Sequence, residues 1–153
     1  MSGSLRPEDQ YAERVRDWAE ATVEVTTALH RLCRDGCTEA EFAGKDDLRT
    51  RLSAQIDKGR WLFPNAIAEP HVLRHEAAFR GIRQPVLESL VAVYNATANL
   101  TATSRIDAGP AVLEAHRAFV SEVMIALDPA STKKRFDDFQ QRYRTLCGNV
   151  DGW

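Results

Sequence analysis

Near its amino end, the chain carries apolar or semi-apolar side chains at alternating steps of four and three residues. They are Tyr11, Val15, Trp18, Thr22, Val25, Leu29 and Leu32. This spacing places all of them on one face of an α-helix, whereas a β-strand would alternate with a period of two. Pro7 suits a first helical turn and Gly36 supplies a stop. The pattern therefore predicts an amphipathic helix from Pro7 to about Arg34, about 40 Å long.

Two arrangements would bury this stripe. Spacing of four and three is what a two-stranded coiled coil uses, so the helix could pair with a second copy or with a protein partner. A helix of a single-chain bundle needs the same stripe to cover its own core. Thr22, in the middle of the stripe, suits a close crossing in either case. We favour internal packing and keep self-association through this first helix as the alternative.

A second helix is predicted to begin at Thr38, which forms a capping box with Glu41. Gly44 should weaken or interrupt it before the apolar face resumes. Gly59 lies on that face, where a neighbouring helix could come close. The second helix should end near Leu62, because a proline follows Phe63 and disfavours helical geometry there.

Three more helices are indicated downstream. Pro85 opens the third and Gly109-Pro110 the fourth, while Asp128-Pro129 stops the fourth and caps the fifth, which ends at Gly148. No segment alternates with a period of two for long enough to form a strand.

The predicted fold class is therefore all-α. We expect a single bundle of four to five helices, with a long packed loop between the second and third helices. The bundle domain should cover residues 7–148, after a flexible segment at 1–6 and before a tail at 149–153.

Size and charge restrict the function. A chain of 153 residues with 44% hydrophobic side chains is long enough for one domain with its own core. Its net charge of -2 offers no overall field for nucleic acid or an anionic membrane, which argues against nucleic-acid binding. No apolar run is long enough for a membrane span. A membrane-proximal role would follow only if the chain were cut from a longer, anchored protein.

The cysteines indicate a compartment. Cys33, Cys37 and Cys147 are odd in number, and no apolar leader precedes them. Free thiols in a reducing environment are expected, so the predicted localisation is cytoplasmic. Cys33 and Cys37 lie four residues apart, but the further ligands of a zinc site are missing.

The run from Gly59 to Asn65 sets three large apolar side chains, Trp61, Leu62 and Phe63, against a helix-stopping proline and an asparagine. We interpret it as a plug that fixes the end of the second helix into the core. It also introduces a connection of about twenty residues without a clean period. Connections of this length are uncommon in compact domains unless they pack or carry function.

Most of the local positive charge lies in and beside that connection. Residues 58–83 hold five lysines and arginines against two glutamates. Guanidinium groups that converge beside aromatic rings could bind a small phosphate- or carboxylate-bearing ligand, or an acidic helix of a partner. The alternative is structural, with Arg60 and Arg80 bonded to helix-end carbonyls or to internal acids. The candidate ligand-binding residues are Arg60, His71, Arg74, Arg80 and Arg83.

Catalytic and metal-binding patterns are missing from the sequence. There is no nucleophile elbow, no glycine loop for phosphate and no apolar pair of carboxylates, so no catalytic residue and no cofactor is predicted. His71 and His75 would share a helical face, but no third metal ligand accompanies them. His116 is interpreted as a hydrogen-bonded core residue. An enzyme that uses His75 or His116 with a carboxylate from another helix is the remaining alternative.

Two blocks resemble a group of uncharacterised bacterial helical proteins. The first is Leu52 to Asn65, with its Gly-Arg-aromatic-Leu-Phe-Pro-Asn core, and the second is Ala78 to Arg83 followed by Pro85 and Leu87. The resemblance implies a helical bacterial domain in which the two blocks lie together. It supplies no catalytic residues. The consistent bundle pattern and the lack of a recognisable catalytic set favour a non-enzymatic interaction or regulatory domain, with small-anion binding by residues 58–83 as the alternative.

Overall fold

A computed structural model of the chain describes residues 6–66, 79–128, 137–142 and 144–145. The helices with full bounds are α1 (Pro7–Leu32), α2 (Glu39–Phe42), α3 (Lys45–Leu62), α4 (Pro85–Ala96) and α5 (Arg105–Ala126). Residues 137–142 are also helical, and the described ranges contain an isolated β-bridge but no strand. The all-α prediction is confirmed. The expected number of four to five helices is not confirmed, because α2 is separate from α3 and residues 137–142 add a further helical stretch.

The ends of α1 agree with the sequence signals. Pro7 is its first residue, and Gly36 follows its end with a φ of +87°, a left-handed conformation that glycine adopts without strain. Although α1 spans 26 residues, neither it nor another helix in the described ranges is long and apolar enough to cross a membrane.

The signals for α2, α3 and α4 are confirmed in the same way. The Thr38 hydroxyl accepts a hydrogen bond from the Glu41 N–H at 3.1 Å, and the Glu41 carboxylate accepts one from the Thr38 N–H at 3.2 Å. Gly44 separates α2 from α3 as its N-cap, α3 ends at Leu62, and α4 begins at Pro85.

The predicted start of the fourth helix at Gly109-Pro110 is wrong, because α5 begins four residues earlier at Arg105. Thr101 and Ser104 hold the preceding turn through reciprocal bonds in which each side-chain oxygen accepts the other's N–H, at 2.9 and 3.0 Å. This turn starts the helix. The proline then lies in its second turn, where it is exposed and removes only one backbone donor.

Gly109 has a packing role rather than a helix-starting one. It is buried against the end of α1, and a Cβ atom there would lie 3.3 Å from the carbonyl oxygen of Cys33. Close by, the Arg105 guanidinium donates to the carbonyls of Leu32 and Arg34 at 3.1 and 2.6 Å. A cation from α5 thus satisfies the carbonyls left open at the carboxyl end of α1.

The core lies where α1 and α4 each contact both α3 and α5. Its largest fully buried side chain is Phe119 of α5. The α1 stripe from Val15 to Leu32 faces this core and is buried. Internal packing, which we favoured, accounts for the stripe, so self-association through it would require α1 to leave the core.

The contact between α1 and α3 is close and partly polar. The Trp18 indole N–H donates to the backbone carbonyl of Gln55 at 2.8 Å, and the Gln55 amide donates to the Thr22 hydroxyl at 2.9 Å. A Cβ atom at Gly59 would lie 2.6 Å from both the Trp18 ring and a methyl group of Leu87. The prediction that Gly59 marks a close helix approach is confirmed.

Candidate interaction surface

The aromatic run at the end of α3 divides between core and solvent. Leu62 and Phe63 are buried, as the plug interpretation predicts. Trp61 is 75% exposed, so its assignment to the plug is wrong. At 100° per residue, Leu52, Ile56 and Leu62 share the inner face of α3, and Trp61 falls outside it.

Phe63 is the C-cap residue of α3 and is buried. Its φ of -133° and ψ of 71° are not helical, in keeping with the proline that follows. The ring centroid lies 5.7 Å from Trp18 and 6.3 Å from Tyr11, in tilted and edge-to-face geometry. The Tyr11 hydroxyl also donates to the Leu62 carbonyl at 2.6 Å, so α1 holds the end of α3 in place.

The two ends of the connection between α3 and α4 lie next to each other. Ala66 and Ile82 pair as an isolated antiparallel bridge, in which each backbone nitrogen lies 3.0 Å from the carbonyl oxygen of the other residue. The Gln84 side-chain amide donates to the Pro64 carbonyl at 2.9 Å. The two sequence blocks are therefore brought together at the end of α3 and the start of α4. Residues 67–78 between them lie outside the described ranges.

Arg60 is the predicted site residue nearest the aromatic run. Its side chain is only 13% exposed, and its Nε lies 3.3 Å from a carboxylate oxygen of Asp57. The guanidinium carbon also lies 4.8 Å from the ring centroid of Phe79, which is 61% exposed. We call Arg60, Trp61 and Phe79 the aromatic-arginine surface.

The other predicted site residues in the described ranges also have partners within the protein. Arg83 donates to the Glu88 carboxylate at 2.8 Å, in the first turn of α4. The backbone carbonyl of Arg80 accepts a bond from the Asn65 amide at 3.0 Å. His71 and Arg74 lie outside the described residues, so their part in a site stays a prediction.

These contacts limit what the cations can do. Arg60 and Arg83 each already donate to a carboxylate, and a phosphate or carboxylate ligand would have to compete with those partners. Stacking on Phe79 also fixes the Arg60 guanidinium in one plane. Arg60 therefore holds Phe79 in place beside the end of α3.

His116 forms the hydrogen bond that we expected of it. Its Nδ1 lies 2.7 Å from the hydroxyl of Thr26, across the contact between α5 and α1. Burial, followed by the nearby His30 and Arg117, lowers the pKa of His116 below its ordinary value. The pKa of His30 is also lowered, by burial first and then by Arg34 and Arg117. Both imidazoles therefore resist protonation, and Arg117 contributes to the shift of each.

We predict that His116→Asn will make the stability of the protein less dependent on pH. The unfolded chain binds a proton to His116 near its ordinary pKa of about 6.5, whereas the folded chain resists it. The stability that the neutral ring contributes is therefore present above that value and is lost as the pH falls through the lowered folded pKa.

Urea unfolding at pH 7.5 and pH 5.0 measures this effect. Wild type should lose more free energy of unfolding between the two pH values than His116→Asn, which keeps a polar atom near Thr26. Carboxylates shared by the two proteins cancel in the comparison. An equal loss in both proteins would contradict the prediction.

The thiols and acidic groups do not form a metal site in the described part of the chain. No group of three histidine, cysteine, aspartate or glutamate residues comes together there. Cys33 is buried, and burial raises the pKa of its thiol, which makes it a poor nucleophile at neutral pH.

Two features escaped the sequence reasoning. Arg49 donates to the carbonyl of Tyr94 at 3.1 Å and stacks on its ring at 4.0 Å, which fixes the end of α4 against α3. The second is Phe79, which is exposed beside Arg60. The one sequence feature that could have drawn attention to Phe79 is its position directly before Arg80 and Gly81, in the second block. Phe79 does not belong to a periodic apolar pattern.

No significant match to a protein family, a curated protein or a solved structure was found for this chain.

Proposed function

We propose that the protein is a non-enzymatic interaction domain that binds a protein partner through the aromatic-arginine surface. The observation that carries the proposal is the exposure of two large rings at this place, Trp61 at 75% and Phe79 at 61%. Each is close to Arg60, one by sequence and the other by stacking.

The energetics of the two rings support this proposal. A tryptophan that faces water gives up the favourable free energy of burial, roughly 25 cal/mol for each Å² of apolar area. The helical register places position 61 on the outer face of α3, but it does not require an aromatic side chain there. Covering Trp61 and Phe79 with a partner would recover that free energy. Trp, Phe and Arg are also enriched at protein interfaces.

The contacts of the arginines favour a protein over a small anion. Arg60 and Arg83 donate to Asp57 and Glu88, so an isolated phosphate gains little by displacing these carboxylates. A protein partner can cover the exposed rings of Trp61 and Phe79 without breaking either pair. Anion binding by residues 58–83 stays the alternative, and phosphate-dependent thermal stabilisation would favour it.

Two broader expectations belong with this proposal. We infer that the described helices and the helical residues 137–142 form one bundle within a domain at 7–148, and that the protein works in a reducing cytoplasm. The packing of α1 and α4 on α3 and α5 supports the first. The free thiols of Cys33 and Cys37 support the second.

Site-specific photocrosslinking tests the interaction surface. We expect a benzophenone side chain at position 61 to give a discrete adduct with another protein in the native cells. Adding Phe79→Ser should reduce that adduct about tenfold or more, the effect of losing about 1.4 kcal/mol of binding free energy.

Position 124 provides the matched control. Met124 is 69% exposed on α5, so the same probe there has similar access to solvent on another face. An adduct of equal strength at position 124, or none at position 61, would overturn the proposal. Thermal unfolding of each variant should match wild type, because the three side chains are exposed.

A further inference from the structure

A cleft of about 450 Å³ opens where five parts of the chain meet. It lies between α1, the end of α3, the start of α4, α5 and the helical residues 137–142. The side chains that define it are Tyr11, Phe63, Gln84, Val86, Ala126 and Phe139. Its volume falls in the range of roughly 300 to 1,000 Å³ that small-molecule sites occupy.

The floor of the cleft is apolar and its walls are held by the protein itself. Leu62, Phe63 and Val86 line it and are no more than 8% exposed. The Tyr11 hydroxyl donates to the Leu62 carbonyl at 2.6 Å, and the Gln84 amide donates to the Pro64 carbonyl at 2.9 Å. Both polar wall groups are thus engaged in fixing the walls, and the cleft is formed before a ligand arrives.

Three charged residues line the cleft, namely Glu122, Asp138 and Arg142, of which Asp138 and Arg142 are exposed to solvent. Two carboxylates and one guanidinium give the lining a formal charge of -1, which does not favour an anion. The apolar floor offers no counter-ion to a charged group that enters it, and burying such a group without a partner is costly.

We propose that this cleft is a binding site for a small, uncharged, ring-bearing apolar molecule. Aromatic rings form parts of its lining through Tyr11, Phe63 and Phe139, and a flat ring can stack between such side chains. A small molecule fits better than a partner helix, because the lining comes from five separate segments around a concavity rather than from a trough along two helices. The proposal does not depend on the aromatic-arginine surface.

Binding of N-phenyl-1-naphthylamine, an uncharged aromatic probe whose fluorescence rises in apolar surroundings, tests this site. We expect saturable binding of one probe per chain. Ala126→Phe should fill the cleft from α5 and weaken binding at least about tenfold. Met124→Phe adds the same ring to the same helix at an exposed position, and it should bind the probe as wild type does.

Equal binding of the probe by wild type and Ala126→Phe would overturn the proposal. Fluorescence that rises without saturation would overturn it as well. A Trp61→Ser, Phe79→Ser variant shows whether the probe rests on the other surface, since loss of binding in this variant also counts against the cleft.

A second measurement keeps the test valid should Ala126→Phe fold poorly. In the wild-type protein, amide chemical shifts at Leu62, Val86 and Ala126 should move with added probe, while the indole signal of Trp61 stays in place. Shifts confined to Trp61 and its neighbours would assign the probe to the surface and reject the cleft.

Discussion

Phe63→Ala is expected to lower the free energy of unfolding by about 3–5 kcal/mol, the cost of truncating a well-packed core phenylalanine. The ring is 5% exposed and lies against both Trp18 and Tyr11. Its removal takes away apolar contact and leaves a void next to the existing cleft, which neighbouring side chains can fill only in part. Denaturant unfolding measures the loss, and thermal unfolding should shift down by roughly 6–20 °C for a chain of this size.

Trp61→Ala is the matched control, two residues earlier in the chain. Because that indole is 75% exposed, its removal should change stability by no more than about 0.5 kcal/mol. Similar losses in the two variants would contradict the division of the aromatic run into a buried and an exposed part. An unchanged melting temperature in Phe63→Ala would show that the end of α3 is not fixed by this ring.

The helix ends were predictable because their causes are local. A capping box at Thr38 and Glu41, a proline at the start of α4 and a proline after Phe63 act through residues a few positions away. The start of α5 was missed for the opposite reason. Its turn is fixed by Thr101 and Ser104, a weaker signal than the Gly-Pro pair that follows.

The approach of the two sequence blocks was predictable, but the side-chain contacts around them were not. The two sequence blocks do meet, through the bridge between Ala66 and Ile82. The sequence could not show that Arg60 pairs with Asp57 or that Phe79 lies under its guanidinium. Such contacts depend on side-chain rotamers and on where the chain returns after the connection. The cleft was invisible for a similar reason, since five distant segments form it.

A single added methyl group at Gly59 should lower the free energy of unfolding. A Cβ atom there would approach the Trp18 ring and a methyl group of Leu87 to 2.6 Å, well inside van der Waals contact. The leucine can move its end, but the indole is tied to the Gln55 carbonyl at 2.8 Å and cannot retreat without losing that bond. Overpacking of this kind typically costs about 1–3 kcal/mol.

Helix propensity acts in the opposite direction, which makes Gly59→Ala a sharp test. Alanine inside a helix is favoured over glycine by roughly 1 kcal/mol, so without the contact the variant would be more stable than wild type. The difference between Lys58→Ala and Lys58→Gly, at the exposed neighbouring position, measures that propensity gain in α3 itself. We expect Gly59→Ala to unfold at a lower denaturant concentration than wild type, with a net loss of about 1–3 kcal/mol. If Gly59→Ala were instead stabilised by as much as Lys58→Ala exceeds Lys58→Gly in free energy of unfolding, α1 and α4 would not approach α3 closely at this residue. The contact of Trp18 with α3 near Gln55 would then be wrong.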